Sequence, residues 1–101
     1  MSITILASEA LALKRCSNLA ACVYVGLVRL ADRAQILGPR RELLKQLSGL
    51  IGPVQAFGRP LQFGELEREL RELEFANVVT QGDERGVLAV TLLLRVEARN
   101  G

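Results

Sequence analysis

The stretch FGELERELRELEFANVVTQGDERGVLAVTLLLRV, residues 63–96, changes its hydrophobic period partway along, and that change decides the fold. From Phe63 to Glu74 the apolar residues Phe63, Leu66, Leu70 and Leu73 recur at i, i+3, i+7 and i+10 with charges between them. That is the inward stripe of an amphipathic helix, with Leu70 in the core and Glu69 facing solvent. After Asn77, a residue type that tolerates the left-handed conformation ending many helices, the period becomes two. Val78–Gln81 and Val87–Val96 read as strands, joined across Gly82-Asp83-Glu84-Arg85-Gly86, whose glycines make a reversal easy. Leu88, Val90, Leu92, Leu94 and Val96 share one face of the second strand, so the hairpin buries one side.

Upstream of this stretch the chain reads as helical. Ile5 to Arg15 carries Leu6, Ala10, Leu11 and Leu13 and ends in Lys14 and Arg15, where cations complement the helix dipole. Ser17-Asn18 offers N-cap chemistry for a second helix from Asn18 to Asp32, whose apolar stripe of Leu19, Cys22, Val23, Gly26, Leu27 and Leu30, widened by Val25 and Val28, marks it as the central core helix. Gln35-Ile36-Leu37, ended by Gly38-Pro39, is long enough for one strand-like pairing. Pro39 then suits the start of an amphipathic helix from Arg40 to Ile51, with Leu43, Leu44, Leu47, Leu50 and Ile51 inward. Gly52 to Pro60 is a loop.

The order is helix, helix, brief strand, helix, loop, helix, β-hairpin. It predicts an α+β domain of the winged helix-turn-helix type, three to four helices with a C-terminal β-hairpin wing. The alternative is a three-helix bundle packed on an unrelated hairpin. The expected organisation is one domain over residues 1–101, with a leading short helix in 1–16, a helical core in 17–77 and a wing hairpin in 78–97.

Composition limits the chemistry. The 101 residues are 50% hydrophobic and 24% charged, enough apolar content for one folded core and too much for a disordered chain. There is no His and no Trp, and the two Cys are Cys16 and Cys22, so the parts of common zinc sites and of His-based catalysis are missing. Ser8, Ser17 and Ser48 have no base nearby in sequence. No catalytic residue, cofactor, metal or small-molecule substrate is expected. The two Cys are six positions apart in sequence that reads as helical, roughly 9 Å along an axis, which is too far for a disulfide; they read as buried thiols in a reducing compartment. Asn18 to Leu30 is apolar but too short to span a bilayer, so no membrane association is expected.

Three stretches resemble the C-terminal winged-helix domain of the origin-recognition-complex and cell-division-cycle family of AAA+ replication initiators. They are EALALKRCSNLAACVYVGLVRLA from Glu9 to Ala31; Pro60-Leu61 with Phe63-Gly64-Glu65-Leu66 and Leu70-Arg71-Glu72-Leu73; and the hairpin from Val78 to Val96. Where that family usually has Gly after its recognition helix this chain has Asn77, and Arg85 is the one basic residue in the hairpin turn, beside Asp83 and Glu84. The resemblance implies a non-catalytic module that contacts double-stranded DNA and other replication subunits. It also implies an ATPase module upstream of Met1, and a nuclear location in a eukaryote or a cytoplasmic one otherwise.

Charge is segregated along the chain. Residues 1–60 hold 8 basic and 3 acidic side chains, a net of +5, whereas residues 61–101 hold 5 and 8, a net of −3. Arg40, Arg41, Lys45, Arg59 and the hairpin's Arg85 are the candidate DNA contacts, directed mainly at phosphates; the plainer reading of the helical ones is a solvated face. The helix from Phe63 carries Glu65, Glu67, Glu69, Glu72 and Glu74 against Arg68 and Arg71, an arrangement that opposes major-groove readout. Its Glu65, Glu69 and Glu72 are candidates for docking a basic protein partner, and the plainer reading is a solvated face with pairs such as Glu67–Arg71 and Arg68–Glu72.

Overall fold

The computed structural model describes residues 5–54 and 58–100 and opens with two helices, α1 (Ala7–Leu13) and α2 (Asn18–Leu30). Ser17 caps α2: its hydroxyl oxygen accepts the Ala20 amide at 3.1 Å, meeting one of the donors that a helix start leaves unpaired. Below α2, Asp32 and Gln35 exchange backbone hydrogen bonds of 2.9 and 3.0 Å around Arg33 and Ala34, which take left-handed φ values of 53° and 67°. This tight turn aims the next segment, β1 (Gln35–Pro39), along the sheet.

β1 is a full strand rather than the single pairing expected of it. It runs antiparallel to β5 (Val87–Leu92), with Gln35 opposite Thr91 and Pro39 opposite Val87. Helix α3 (Arg40–Ile51) starts directly after Pro39, and the Arg40 amide donates to the Gly86 carbonyl at 2.9 Å. The predicted loop contains a two-residue pairing of β2 (Pro53–Val54) with β3 (Arg59–Pro60); residues 55–57 of that loop lie outside the described residues.

Helix α4 (Phe63–Phe75) follows the predicted stripe, with Leu66, Leu70 and Leu73 fully buried. Asn77 ends it at φ 60°. The Val78 amide donates to the Leu73 carbonyl and the Asn77 amide to Glu74, both at 3.0 Å, the paired bonds of a left-handed helix stop. Strand β4 (Val79–Glu84) then pairs with β5, giving the sheet order β1-β5-β4. The hairpin turns in two residues, Arg85 and Gly86 at φ 54° and 77°, so the expected five-residue reversal is mostly strand.

One element departs from its expected type. Leu93–Asn100 is a helix, α5, not the second half of a strand. The reason is the lack of a partner: β1 pairs no further along β5 than Thr91 and β4 no further than Leu92, so beyond that point an extended segment has no ladder to join. The Leu92 and Leu93 amides close the sheet on the Ala34 and Val78 carbonyls at 2.8 and 3.0 Å. Leu94 and Val96 still pack against the core, from a helix.

Among the described residues this is an α+β domain of five helices and a three-stranded antiparallel sheet. Its core joins Tyr24 and Leu27 of α2, Leu44 and Leu47 of α3 and the α4 leucines to the buried face of β5. Leu50 and Phe63, expected inward, sit at the edge with 40% and 39% exposure. The two thiols are not both buried: Cys16 is half-buried in the turn after α1 and Cys22 is exposed.

Candidate nucleic-acid interface

The charges of α4 arrange themselves by side. Every carboxylate on the helix is engaged within the molecule. Glu65 accepts from both terminal nitrogens of Arg59, at 2.7 and 3.3 Å, and from the Gln62 amide at 2.9 Å; the Arg59 hydrogen bond, then the Gln62 amide, hold its carboxyl below the ordinary range. Glu67 pairs with Arg40 at 3.3 Å, and Glu74 accepts the Gln81 amide at 3.4 Å.

Glu69 and Glu72 converge on Ser17. The Ser17 hydroxyl lies 3.2 Å from Glu69 and 3.1 Å from Glu72, and the Ser17 amide donates to Glu72 at 3.0 Å. Glu69 is 5% exposed, which corrects its expected place on a solvent face. Burial first, and then the neighbouring Glu72, push the Glu69 carboxyl up, whereas the Ser17 amide holds Glu72 down. Beside them the Cys16 thiol is also pushed up, by burial and then by Glu72 and Glu69, which keeps it protonated and poorly nucleophilic. The expected pairs Glu67–Arg71 and Arg68–Glu72 are absent among the described residues; Arg68 lies 3.7 Å from Glu69 instead.

What α4 leaves in solvent is therefore basic and aromatic. Gly64, Arg68, Arg71 and Phe75, at i, i+4, i+7 and i+11, are all exposed, Phe75 at 88%. This stripe is the complement of Leu66, Leu70 and Leu73. The spacing that locates the core fixes this stripe as well, although the helix totals of five Glu and two Arg conceal it.

The other candidate contacts divide into two groups. Arg40 bonds Asp83 at 2.7 Å as well as Glu67, so it ties α3, α4 and the hairpin together and is engaged inside the fold. Arg59 is likewise committed to Glu65 and to the Pro60 carbonyl at 3.1 Å. Arg41, Lys45 and Arg85 are exposed, without an ion pair among the described residues. The Arg40 bridge and its amide bond to Gly86 hold the α3 N-terminus, the hairpin tip and the middle of α4 together.

A buried carboxylate organises α1. Glu9, with no solvent exposure, accepts the Leu6 amide at 2.8 Å, the Tyr24 hydroxyl and Arg95 Nε at 2.9 Å. Nothing in the sequence spacing marked it. Among the described residues no group of three or more His, Cys, Asp or Glu is placed to hold a metal ion, and no helix is long and apolar enough to cross a membrane. No protein-family profile matches the chain, and no curated protein and no solved structure is significantly similar to it.

Proposed function

We propose that this chain is a winged-helix module that binds duplex DNA without catalysis, mainly through phosphates. The observation that carries the reading is the sidedness of α4. Its carboxylates all accept from intramolecular partners, Glu65 and Glu67 from arginines and the other three from Ser17 or Gln81, and its open face keeps Arg71 and Arg68, the latter 3.7 Å from Glu69, which reduces the electrostatic objection raised by its composition. The order α2, β1, α3, α4, β4, β5 with sheet order β1-β5-β4 supports the winged-helix assignment, with α4 as the third helix and β4–β5 as the wing. Arg41 and Lys45 of α3 and Arg85 at the wing tip extend the positive region to phosphates on either side. A place in a replication initiator rests on the sequence resemblance alone.

Fluorescence anisotropy with a labelled duplex, at low and moderate salt, tests this. Binding should weaken steeply with salt. Arg68→Ala/Arg71→Ala and Arg41→Ala/Lys45→Ala should each flatten the plot of log K against log salt, by about one unit for every phosphate no longer neutralised. No binding at low salt, or a slope unchanged in both variants, refutes the reading.

A further inference from the structure

The open stripe of α4 ends in a feature that phosphate binding to a duplex does not use. Phe75 is 88% exposed, the most exposed of the large apolar side chains in the described residues. An isolated aromatic ring in water is unfavourable by its apolar area, and nothing in the fold covers this one. It stands at the wall of a cleft of about 410 Å³ whose other lining includes Ala12, Arg15, Cys16 and Asn77. Arg15 is exposed, and Arg71 and Arg68 follow Phe75 back along the same face of α4, about 6 and 10.5 Å away at the helical rise. Glu72 also lines the cleft, but its oxygens face the Ser17 amide and hydroxyl. The cleft lining therefore combines a flat ring, one arginine and one carboxylate that is turned to Ser17, and two further arginines lead away along α4, Arg68 lying 3.7 Å from Glu69.

We propose that this cleft receives an unpaired nucleotide: the base stacks on Phe75 beside Arg15, and Arg71 and Arg68 take the phosphates of the attached strand. Charge complementarity selects a polyanion, and a planar ring selects a partner with an accessible π-face, which a single-stranded base has and a base inside a duplex lacks. The inference rests on the nucleic-acid reading above and narrows it to DNA with a single-stranded segment next to the duplex.

The test compares a blunt duplex, the same duplex with a short 3′ or 5′ oligothymidine overhang, and oligothymidine alone, by anisotropy at fixed low salt. The overhang of one polarity should bind more tightly than the blunt duplex. Phe75→Ala should abolish that gain, an effect of about 5- to 150-fold for one stacked base, and leave blunt-duplex affinity unchanged. Phe75→Trp should keep it. Phe75→Leu should lose it, because a branched aliphatic chain buries similar area without a ring face. Phe75 is solvent-exposed, so these variants fold. Blunt-duplex binding with no overhang gain, or a gain that survives in Phe75→Ala, overturns this inference and leaves the duplex reading standing. Overhang binding retained in Phe75→Leu marks the ring as a plain apolar contact and also overturns it. If no DNA binds at all, both readings fail.

Discussion

Glu9 gives the sharpest stability test, because a single carboxylate holds three elements. It accepts from the Leu6 amide at the start of α1, from the Tyr24 hydroxyl on α2 and from Arg95 on α5, with no exposure of its own. In Glu9→Ala the Tyr24 hydroxyl, on a residue with 0% exposure, loses its acceptor, at about 1–3 kcal/mol. The loss of the bond to the Leu6 amide adds about 0.5–1 kcal/mol. Breaking a buried ion pair from one side costs about 3–5 kcal/mol when both partners are buried; the Arg95 side chain is 25% exposed and regains water, so its share falls to about 1 kcal/mol. The sum is about 2.5–5 kcal/mol, read as a lower urea midpoint at unchanged m by circular dichroism. Tyr24→Phe alone should cost about 1 kcal/mol, and the double variant should fall short of the additive value by at least that much, since both changes remove the same bond. Additive losses, or a Glu9→Ala effect under about 0.5 kcal/mol, would refute the view that this carboxylate joins α1 and α5 to the core.

Leu70→Ala should cost about 2–5 kcal/mol in the same assay, because Leu70 is fully buried and its removal leaves a cavity among α2, α3 and the sheet; a loss under about 1 kcal/mol would mean α4 is rotated from its described phase. Glu69→Gln should be about 0.2–0.5 kcal/mol more stable than wild type at neutral pH, since the amide still accepts from Ser17 and the like charge beside Glu72 is gone. The folded-state carboxyl of Glu69 is raised above its ordinary 4.5, so its contribution favours folding below that value and is lost as pH rises through the raised value. The advantage of Glu69→Gln should therefore vanish in urea melts below pH 4.5, and an advantage that grows on acidification would contradict the assignment. Glu72 has the opposite sign, a lowered carboxyl whose stabilisation is present above 4.5 and lost as pH falls through the depressed value, so Glu72→Gln should lower the midpoint at neutral pH. Arg33→Asn should raise stability by about 0.5–1 kcal/mol in thermal melts, because Asn tolerates the left-handed φ of 53° that Arg33 is forced to adopt.

What could be read from the sequence was what is written locally. Leu66, Leu70 and Leu73 placed α4, Asn77 marked its end, and Ser17 marked the start of α2, because each signal lies within one or two helical turns of the structure it governs. The misreadings depend on distant residues. Nothing near Leu93 shows that its neighbours β1 and β4 have run out, and an apolar run with leucines fits a strand or a helix equally well. Glu69 reads as a solvent charge until Ser17, 52 positions away, is brought beside it, and Arg40 reads as a phosphate contact until Asp83, 43 positions on, takes its guanidinium. The basic stripe of α4 is legible in spacing but hidden in composition, since total charge does not record which side each charged group faces or which partners the fold gives it.

The sheet order β1-β5-β4 also has a consequence for the sequence of folding events. The β4–β5 hairpin closes through a two-residue turn and is entirely local, whereas β1 must reach β5 across α3 and α4, with Ile36 opposite Val90. The entropy of closing so long a loop is met only when that central strand already exists as a template. The hairpin and α4 are thus the natural nucleus and β1 a late arrival. Destabilising changes around Ile36 should quicken unfolding and leave the refolding rate nearly unaltered, whereas equal destabilisation at Leu88 should slow refolding.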